Sequence, residues 1–567
     1  MTTETVAGAK LVADALVARG VDTIFTLSGG HITPIYQYLE DTDVALFDTR
    51  HEQAALFMAE AWGKMTRQPG VAMVTAGPGF TNALTGIASA YFSNTPLVMI
   101  AGCVGLDHKE KLDLQDMAQA PVIDPMVKRT LVCQKPERAA EYVDLAFRTA
   151  ASGRPGPVYL EFPVDVLNAH VNPADVRQPI TEIDSRPADL ENTHKMMAWL
   201  GEARKPVVIA GSGVWHAHAE DALVEFTEKA GVPVFTSLSG RGTISDTHPL
   251  CFESALAIRP GGAFAAYIET DLVILLGTRV GLYYIFGDIF NPEARMVQVD
   301  IMPEEIGRNR RIDLPIVSDA RAFLRECCRT MDAADGGMDL RKRFQQWVTT
   351  IAVADETGKA QARPNWESDA HPIHPLRLAR EIDAFMDRED DIVVADGGDT
   401  TTWIGMTRTI RKPGRYLDYG IYGSLGVGLP YALAAKWRYP EQRVCLLTGD
   451  GSVGFNFMEI ENAIRKGLAL VVVISNDLGW GMIRHSQELR IGHAIEEGTF
   501  IGRVDYHKLA EALGGLGFAV EEAKDIRPAL EAAFASGKTC FINVMTDPTT
   551  VSPGSVALAN LGGYKAT

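Results

Sequence analysis

Short apolar runs alternate with amphipathic stretches along nearly the whole chain. In its first third, the apolar runs cover residues 23–27, 45–48, 71–75, 97–101 and 158–162. Runs of this length, separated by helical periodicity, are typical of strands in a parallel sheet that helices cover on both faces. The pattern therefore predicts an α/β protein built from doubly wound parallel sheets.

The same pattern continues in two further blocks, which polar segments at 172–187 and 333–372 separate. Strands are predicted at 206–210, 272–276 and 296–299 in the central block, and at 444–447 and 470–475 in the last. Helices are predicted at 54–66 and 456–466. We therefore expect three consecutive domains over residues 1–170, 188–332 and 373–548. The remaining residues, 549–567, are rich in Ser, Gly and Pro, so that composition favours a tail over an ordered lid.

Composition narrows the class of protein. The 567 residues are 46% hydrophobic and 22% charged, as in globular proteins, and the chain is too long for a single core. The formal net charge of −18 argues against a nucleic-acid partner. Apolar runs of membrane-spanning length and a basic-then-apolar N-terminus are both absent from the sequence. We therefore expect a cytoplasmic protein without a membrane partner.

The segment 449–477 carries the most specific chemistry. Asp450 lies in a Gly-Asp-Gly-Ser turn directly after one predicted strand, and Asp477 follows the next. The carboxyl ends of neighbouring parallel strands meet at one edge of a sheet, where open α/β sheets bind ligands. Gly451 lets the backbone approach an anion, and carboxylates suit Mg²⁺ or Ca²⁺. The segment predicts a metal and phosphate site, although a lone Gly-Asp-Gly is often only a turn.

The Gly-Asp-Gly turn, followed one helix and one strand later by Asn476-Asp477, resembles the signature of thiamine diphosphate (ThDP) enzymes. The resemblance implies the ThDP-enzyme fold for the three domains. It also implies that Asp450, Asp477 and the Gly479 carbonyl hold Mg²⁺, which binds the cofactor's diphosphate beside Gly451 and Ser452. Many relatives have Asn where this chain has Asp477.

Glu52 begins the predicted helix that follows the strand at 45–48. By itself, a Glu at a helix start is usually a capping or dipole partner. In ThDP enzymes a Glu in this setting hydrogen-bonds the aminopyrimidine ring and drives its imino tautomer, and the resemblance assigns that role to Glu52. The turn with Gly77, Pro78 and Asn82 would then pack over the cofactor across a subunit interface. A homodimer is therefore expected to be needed for activity, and a homotetramer to be the assembled state.

Two segments of the third block add to the resemblance. The turn Gly397-Gly398-Asp399 has the flexible backbone that diphosphate oxygens require. Ser424 and Leu425 match the segment whose bulky residue holds the cofactor in a bent conformation, and Met482 matches a residue beside the pyrimidine. Leu425 and Met482 are otherwise residues of an ordinary core.

The central block contains residues that could bind a nucleotide. A Gly-Ser-Gly turn follows the strand at 206–210, and Asp300 ends the strand at 296–299. An acidic residue in that place can bind ribose hydroxyls, although a lone GxG is weak evidence. Acetolactate synthases hold FAD in this domain, oxalyl-CoA decarboxylases hold ADP, and other relatives hold nothing. We favour an adenine nucleotide, ADP or FAD, with Arg154, Asp300 and Asp319 as contacts.

The substrate class depends on smaller differences. Acetolactate synthases have an Asp-Asp-Arg element where this chain has residues 279–283, and a Trp where it has Ser486. The segments 27–34, 397–399 and 476–480 instead resemble 2-hydroxyacyl-CoA lyases, which cleave their substrates to formyl-CoA and an aldehyde or ketone and can run the reverse acyloin condensation. The alternatives are a 2-oxo-acid decarboxylase or carboligase, like acetolactate synthase or oxalyl-CoA decarboxylase, and a non-catalytic nucleotide-binding scaffold.

Three polar residues are candidates for handling the substrate, which would be an acyl-CoA or a small carbonyl compound. His31 and His485 could transfer protons to and from the substrate hydroxyl, because His titrates near neutral pH. Gln115 lies where relatives place a polar side chain facing the substrate. A single His near a Gly-rich turn is also often a structural hydrogen-bonding residue.

Overall fold

The computed structural model describes residues 5–177, 186–254, 261–333 and 340–560. Within these residues it contains three six-stranded parallel sheets flanked by helices. The α/β class predicted from the sequence is therefore confirmed. Most of the central strands are buried along their whole length, because helices cover both faces of each sheet, and this explains their continuous apolar runs.

The first sheet brings together the strands predicted in the first third and one that the sequence pattern missed. Its strands, in spatial order, are Ala45–Asp48, Thr23–Thr26, Gly70–Val74, Leu97–Cys103, Pro157–Pro163 and Arg129–Val132. Its helices are Gly8–Ala18, Thr33–Leu39, Glu52–Thr66, Pro78–Asn82, Leu84–Ser93, Gln119–Ile123, Ala139–Ala151 and Val164–Asn168. The strand Arg129–Val132 was missed because it is a short edge strand in which only Leu131 is buried. A small antiparallel pair joins Val6–Ala7 to His170–Val171.

The second sheet lies within the central block. Its strands, in spatial order, are Cys251–Ser254, Val234–Thr236, Pro206–Ala210, Leu272–Leu276, Arg295–Asp300 and Leu314–Val317. Its helices are Leu190–Glu202, Ser212–His216, Glu220–Ala230, Gly262–Glu269 and Ala320–Ala333. Within the polar segment 333–372, residues Leu340–Trp366 form a long helix. Its Phe344, Trp347 and Ile351 are buried.

The third sheet positions the predicted metal turn. Its strands, in spatial order, are Tyr416–Leu417, Ile392–Asp396, Val444–Gly449, Val471–Asn476, Cys540–Met545 and Leu516–Val520. The helices of this block are Pro375–Phe385, Gly398–Thr407, Gly428–Arg438, Asp450–Val453, Glu459–Arg465, Gly481–Ile491, Glu496–Thr499, Tyr506–Ala512, Ile526–Ala535 and Pro553–Ala559. The winding direction reverses between Ile392–Asp396 and Val444–Gly449, and such a switch point is where open α/β sheets bind ligands.

Internal contacts divide the chain into two compact units. The first unit comprises residues 1–184, 419–441 and 453–470, and the second comprises 185–418, 442–452 and 471–567. The helices Gly428–Arg438 and Glu459–Arg465 therefore belong to the first unit, although the strands before and after them belong to the second. The domain boundaries at 170, 188, 332, 373 and 548 stay predictions.

The C-terminal segment is more ordered than its composition indicates. Residues Pro553–Ala559 form a helix, and the Ser552 hydroxyl caps its start by accepting a hydrogen bond from the Ser555 N–H. The last seven residues, 561–567, lie outside the described part of the chain. Among the residues that are described, no helix is both long enough and apolar enough to cross a bilayer.

Candidate active site

The carboxyl edge of the third sheet gathers most of the predicted cofactor and metal residues. The strands Ile392–Asp396, Val444–Gly449 and Val471–Asn476 are hydrogen-bonded neighbours. Because all three are parallel, the turns that follow them meet at one edge. Those turns supply Gly397, Gly398, Asp399, Asp450, Gly451, Ser452, Asp477 and Gly479.

Asp450 and Asp477 are neighbouring carboxyl groups at this edge, and each acts on the pKa of the other. Asp450 is buried, and its Oδ1 accepts a hydrogen bond from the Gly451 N–H at 2.8 Å, whereas its Oδ2 has no hydrogen-bond partner in that part of the chain. Burial and then the charge of Asp477 raise the pKa of Asp450. Burial and then Asp399 raise the pKa of Asp477. A divalent cation would neutralise both carboxylates and occupy the unsatisfied oxygen, so the donor set fits one.

The backbone around the third predicted ligand is held in an unusual conformation. Leu478 has a φ of +68°, which an L-residue with a side chain rarely adopts. Only glycine fits at position 479, because a Cβ there would lie 2.3 Å from the Thr499 carbonyl oxygen. Strain of this kind persists where the surroundings impose it, often at ligand sites. The conformation is consistent with a carbonyl group presented to a metal at Gly479.

The glycines of the 397–399 turn pack tightly against predicted cofactor neighbours. A Cβ on Gly398 would lie 2.5 Å from Met482 Sδ, and one on Gly397 would lie 2.9 Å from Ser452 Oγ. Gly397 also has a φ of +100°, which favours glycine. The structure therefore brings Met482 and Ser452 to the 397–399 turn, as expected for parts of one cofactor site.

Asp399 links this edge to the C-terminal helix. Its Oδ1 accepts hydrogen bonds from the hydroxyls of Ser552 and Ser555, the latter at 2.8 Å. His485 is buried, with its Nε2 2.9 Å from the Pro548 carbonyl oxygen and its Nδ1 3.6 Å from Asp399 Oδ2. Burial opposes protonation of His485, but the Asp399 carboxylate and the Pro548 carbonyl raise its pKa. These contacts favour a structural role for His485, and its part in proton transfer stays a prediction.

The first unit holds a second group of predicted residues, centred on Glu52. Glu52 is buried at the first position of the helix Glu52–Thr66, and His51 caps that helix by accepting from the Gln53 N–H. The Asn82 side-chain amide donates to Glu52 Oε2 at 3.0 Å. A Cβ on Gly79 would lie 3.4 Å from Glu52 Oε1. The turn that carries Gly77, Pro78 and Asn82 therefore lies directly against the carboxyl group of Glu52.

His31 and Gln115 lie together beside the same turn. His31 Nδ1 is 3.2 Å from Thr75 Oγ1, and the nearby Gln115 side chain acts to raise the pKa of His31. Burial lowers the pKa of His31. A Cβ on Gly77 would lie 2.8 Å from Gln115 Cβ, and Gln115 itself has a φ of +65°. Three predicted residues from separate segments thus meet at the carboxyl edge of the first sheet.

Sequence reasoning missed two buried side chains that hold these turns. The Gln119 Oε1 accepts from the Gly77 N–H at 2.8 Å, while its Nε2 donates to Glu161 Oε2 at 3.1 Å. The Tyr506 hydroxyl donates to the Asp450 carbonyl oxygen at 2.8 Å. No local signal identifies Tyr506, since the contact joins distant segments. Gln119 could have been noticed only by its closeness in sequence to Gln115.

Other predicted residues lie apart from these groups. Ser424 and Leu425 are half-buried in a loop of the first unit before the helix Gly428–Arg438. Arg154 also lies in the first unit, whereas Asp300 and Asp319 lie in the second. Asp300 ends its strand as expected and accepts from the Met302 N–H at 2.9 Å. Asp319 accepts from the Ala322 N–H at 3.0 Å at the start of the helix Ala320–Ala333, a capping contact, and nucleotide binding by these residues stays a prediction.

Three parallel α/β sheets, with an acidic switch-point edge on the third and a helix-borne glutamate beside the first, define a multidomain cofactor-dependent enzyme. Three family profiles match the chain: "Thiamine pyrophosphate enzyme, N-terminal TPP binding domain" over residues 6–122, the central domain over 193–327, and the C-terminal TPP binding domain over 396–544. The chain therefore belongs to the thiamine pyrophosphate (ThDP) enzyme family, as the resemblance indicated.

Its relatives include proteins named as acetolactate synthases and proteins named as 2-hydroxyacyl-CoA lyases. The chain is 34% identical to a "Probable acetolactate synthase" of Mycobacterium bovis over 98% of both chains. It is 30% identical to a "Probable acetolactate synthase large subunit" of Methanocaldococcus jannaschii, over 96% of this chain and 93% of that protein. It is 28% identical to a "2-hydroxyacyl-CoA lyase" of Arabidopsis thaliana, over 96% of both chains. The identities establish the family. They do not determine the substrate, which must be argued from the residues of the site.

Proposed function

We propose that this chain is a ThDP- and Mg²⁺-dependent carbon–carbon lyase that cleaves 2-hydroxyacyl-CoA thioesters. The carbon that bears the hydroxyl would become an aldehyde or ketone, and the thioester carbon would leave as formyl-CoA. The bond between those two carbons breaks, the hydroxyl gives up its proton, and a proton is added to the formyl carbon. No oxidant or reductant is needed, and the same steps in reverse are an acyloin condensation.

Bound ThDP would supply a carbanion that attacks the thioester carbonyl and accepts the electron pair of the broken bond. Asp450, Asp477 and the Gly479 carbonyl would hold the Mg²⁺, and the Gly397 and Gly451 turns would bind the diphosphate. Glu52 would exchange a proton with the aminopyrimidine ring, and Asn82 would hold its carboxyl group in place. His31 and Gln115, which lie beside the turn of Gly77, would accept the proton of the substrate hydroxyl.

The observation that carries the choice of substrate is the residue at position 486. Ser486 is buried in the helix Gly481–Ile491, and its hydroxyl donates to the Ile483 carbonyl oxygen at 2.9 Å. The Trp that the resemblance places there in acetolactate synthases is absent, as is the Asp-Asp-Arg element near Arg279. A pocket without those groups is poorly equipped to orient two free 2-oxo acids.

A second candidate function is a 2-oxo-acid carboligase. The relatives with the higher identities, including the 34% match, are named as acetolactate synthases. Identity over whole chains reflects mainly the shared fold and cofactor site, which both reactions need, and it therefore weighs less than the two pocket positions.

Product analysis separates the two functions. The holoenzyme would be incubated with 2-hydroxyisobutyryl-CoA in one reaction and with pyruvate in another, and the products identified by mass spectrometry. We expect formyl-CoA and acetone from the first and no acetolactate from the second. Acetolactate as the faster product would replace the lyase with the carboligase.

We also propose the homodimer that the resemblance implies, with Glu52 of one chain serving the Asp450 turn of a second copy, and a homotetramer as the assembled state. An adenine nucleotide, ADP or FAD, is proposed for the central domain. Mass spectrometry of ligands released from the purified protein would identify it, and release of ThDP alone would remove it from the proposal. The cytoplasmic location stays a prediction.

A further inference from the structure

Glu459 is a buried carboxylate that the proposed chemistry does not use. It is the first residue of the helix Glu459–Arg465 and is only 1% exposed. Its Oε1 accepts a hydrogen bond from the backbone N–H of Arg50 at 2.7 Å. Its Oε2 accepts from Asn462 Nδ2 at 2.7 Å. Glu459 therefore binds the backbone of the chain two residues before Glu52.

The backbone that Glu459 binds lies just before the helix that begins at Glu52. His51 has an extended backbone, with φ −149° and ψ 143°, and its ring accepts from the Gln53 N–H at 3.1 Å. The helix begins at the next residue, so a change in the direction of the Arg50 N–H group would turn the Glu52 side chain. A hydrogen bond from a backbone N–H to a buried carboxyl group is costly to lose, which suits it to fixing such a turn.

The surrounding ion pairs limit how the helix Glu459–Arg465 lies on this segment. Asp48 accepts from Arg465 at 2.6 Å and lies 3.0 Å from Lys466 Nζ, while the Arg50 guanidinium donates to Glu461 at 2.8 Å. All five of these residues are at least partly exposed, so each pair contributes little by itself. Glu459 differs because it is buried and because its removal would leave the Arg50 N–H without this acceptor, which is costly.

We infer that Glu459 is a positioning residue for Glu52: its carboxylate holds the Arg50-His51 turn so that the Glu52 carboxyl group stays where Asn82 binds it. This inference rests on the proposed role of Glu52. Two contacts would then hold Glu52: that of Asn82 with its carboxyl group, and that of Glu459 with the backbone before it.

The test compares Glu459→Gln with Glu461→Gln in the holoenzyme. Glutamine keeps one acceptor but loses the charge, and it turns an amide donor toward the donor of Asn462. Glu461 is the matched control, because it lies on the same helix and binds the Arg50 side chain instead of the backbone. We expect kcat to fall roughly ten- to a hundredfold in Glu459→Gln, with KM and ThDP affinity within about twofold of wild type. Glu461→Gln should stay within about twofold in all three.

Hydrogen–deuterium exchange of the peptide that covers residues 48–53, measured on the protein without added cofactor, gives a readout independent of turnover. We expect faster exchange in Glu459→Gln and unchanged exchange in Glu461→Gln. An unchanged kcat, or a kcat that falls only together with ThDP affinity, would overturn the inference. If Glu459→Gln does not fold, Glu459→Asp is judged by the same criteria, because it keeps the carboxylate but shortens its reach.

Glu52→Gln, assayed in parallel, separates this inference from the proposed function. Normal turnover in Glu52→Gln would remove the proposed role of Glu52 and the present inference with it. A slow Glu52→Gln beside a fully active Glu459→Gln would overturn only the role of Glu459.

Discussion

At the residue scale, three buried carboxyl groups differ in their neighbours. Glu52 is bound by the Asn82 amide, Glu459 by the backbone N–H of Arg50, and Asp450 keeps one oxygen without a partner in the described residues. A carboxyl group held by neutral donors can keep or exchange a proton, whereas a pair of carboxylates with an open oxygen attracts a cation. The three groups therefore predict different responses to substitution.

Replacing Glu52 with Gln should separate binding from turnover. Glutamine has nearly the same shape and can still accept from Asn82, but it cannot exchange a proton. We expect kcat to fall by about two to four orders of magnitude, the usual contribution of a general acid or base, with ThDP affinity preserved. Steady-state kinetics and calorimetric titration with ThDP measure the two quantities. Near-normal turnover would contradict the assignment of Glu52.

Replacing Asp477 with Asn should retain metal-dependent activity, because many relatives have Asn at this position. Loss of one negative charge also removes repulsion from Asp450, and we therefore expect the pKa of Asp450 to fall toward its ordinary value. The protein without metal should then melt at a higher temperature at neutral pH than the wild type does, as thermal unfolding in EDTA would reveal. Abolished cofactor binding would show that the account of the second metal ligand is wrong.

Glu459 should make stability depend on pH. Burial raises its pKa from 4.5 to about 7, although the Arg50 N–H and Asn462 act in the opposite direction. The folded protein then binds this proton more tightly than the unfolded chain does. The protonated Glu459 therefore stabilises the folded state fully below pH 4.5, and this contribution to the free energy of unfolding is lost as the pH rises through about 7. The loss is at most about 3 kcal/mol.

The Glu459→Gln variant lacks this titration. Its melting temperature, relative to that of the wild type, should therefore rise between pH 5 and pH 8, as calorimetry over that range would measure. Glu461→Gln again serves as the control, since its carboxylate lies at the surface. A constant difference across the range would mean that Glu459 does not titrate there.

At the scale of single elements, the C-terminal helix Pro553–Ala559 differs most from the tail that the composition favours. It contacts the third block through Ser552 and Ser555 at Asp399, and through its last carbonyls, those of Leu558 and Ala559, which accept from Arg490. The helix thus lies on the predicted diphosphate turn and not in solvent. That position suits a lid that excludes water from the reacting carbons when substrate binds.

Removing both hydroxyls, in a Ser552→Ala and Ser555→Ala double variant, should loosen this helix. We expect faster hydrogen exchange over residues 549–560 and a KM for acyl-CoA substrates raised roughly tenfold, as expected from two lost hydrogen bonds to a carboxylate. In the reverse condensation, the KM for the aldehyde should be affected less, because the aldehyde has no CoA arm to lie under the helix. Ser536→Ala, at the end of another helix, is the control. Equal losses on both substrate classes would count against a lid for the CoA thioester.

At the scale of the whole molecule, the predicted residues fall into two groups that belong to different compact units. Glu52, Asn82, His31 and Gln115 lie in the first, and the metal carboxylates with Asp399 and Met482 lie in the second. We have proposed that the two groups act together across a homodimer. Closed two-fold symmetry would then give two identical sites, each built from both copies.

Mixing two inactive variants tests this assembly. Glu52→Gln and Asp450→Asn dimers, unfolded and refolded together, would form hybrids in which one of the two sites is intact. Random pairing should restore about a quarter of the wild-type activity. Each variant refolded alone provides the control. No recovery, with hybrid dimers confirmed by native mass spectrometry, would place the complete site within a single chain.

The sequence by itself determined the α/β class and most of the central strands, and it supplied the prediction of the metal and tautomer residues. Those features are local: an apolar run of strand length, a Gly-Asp-Gly turn after it, or a Glu at a helix start is visible without knowing what it packs against. The strands at 206–210 and 272–276 were predicted at their observed bounds for this reason. The edge strand Arg129–Val132, which buries little, was not.

Only the tertiary structure decided which side chains hold those residues in place. Asn82 on Glu52, Glu459 on the Arg50 N–H, Tyr506 on the Asp450 carbonyl and the two serines on Asp399 are contacts between segments far apart in the chain. A buried polar group must find a partner, but the sequence does not say which of many distant donors will reach it. That choice is made when the helices pack onto the sheets and bring the carboxyl edges of the strands within hydrogen-bonding distance of the segments around them.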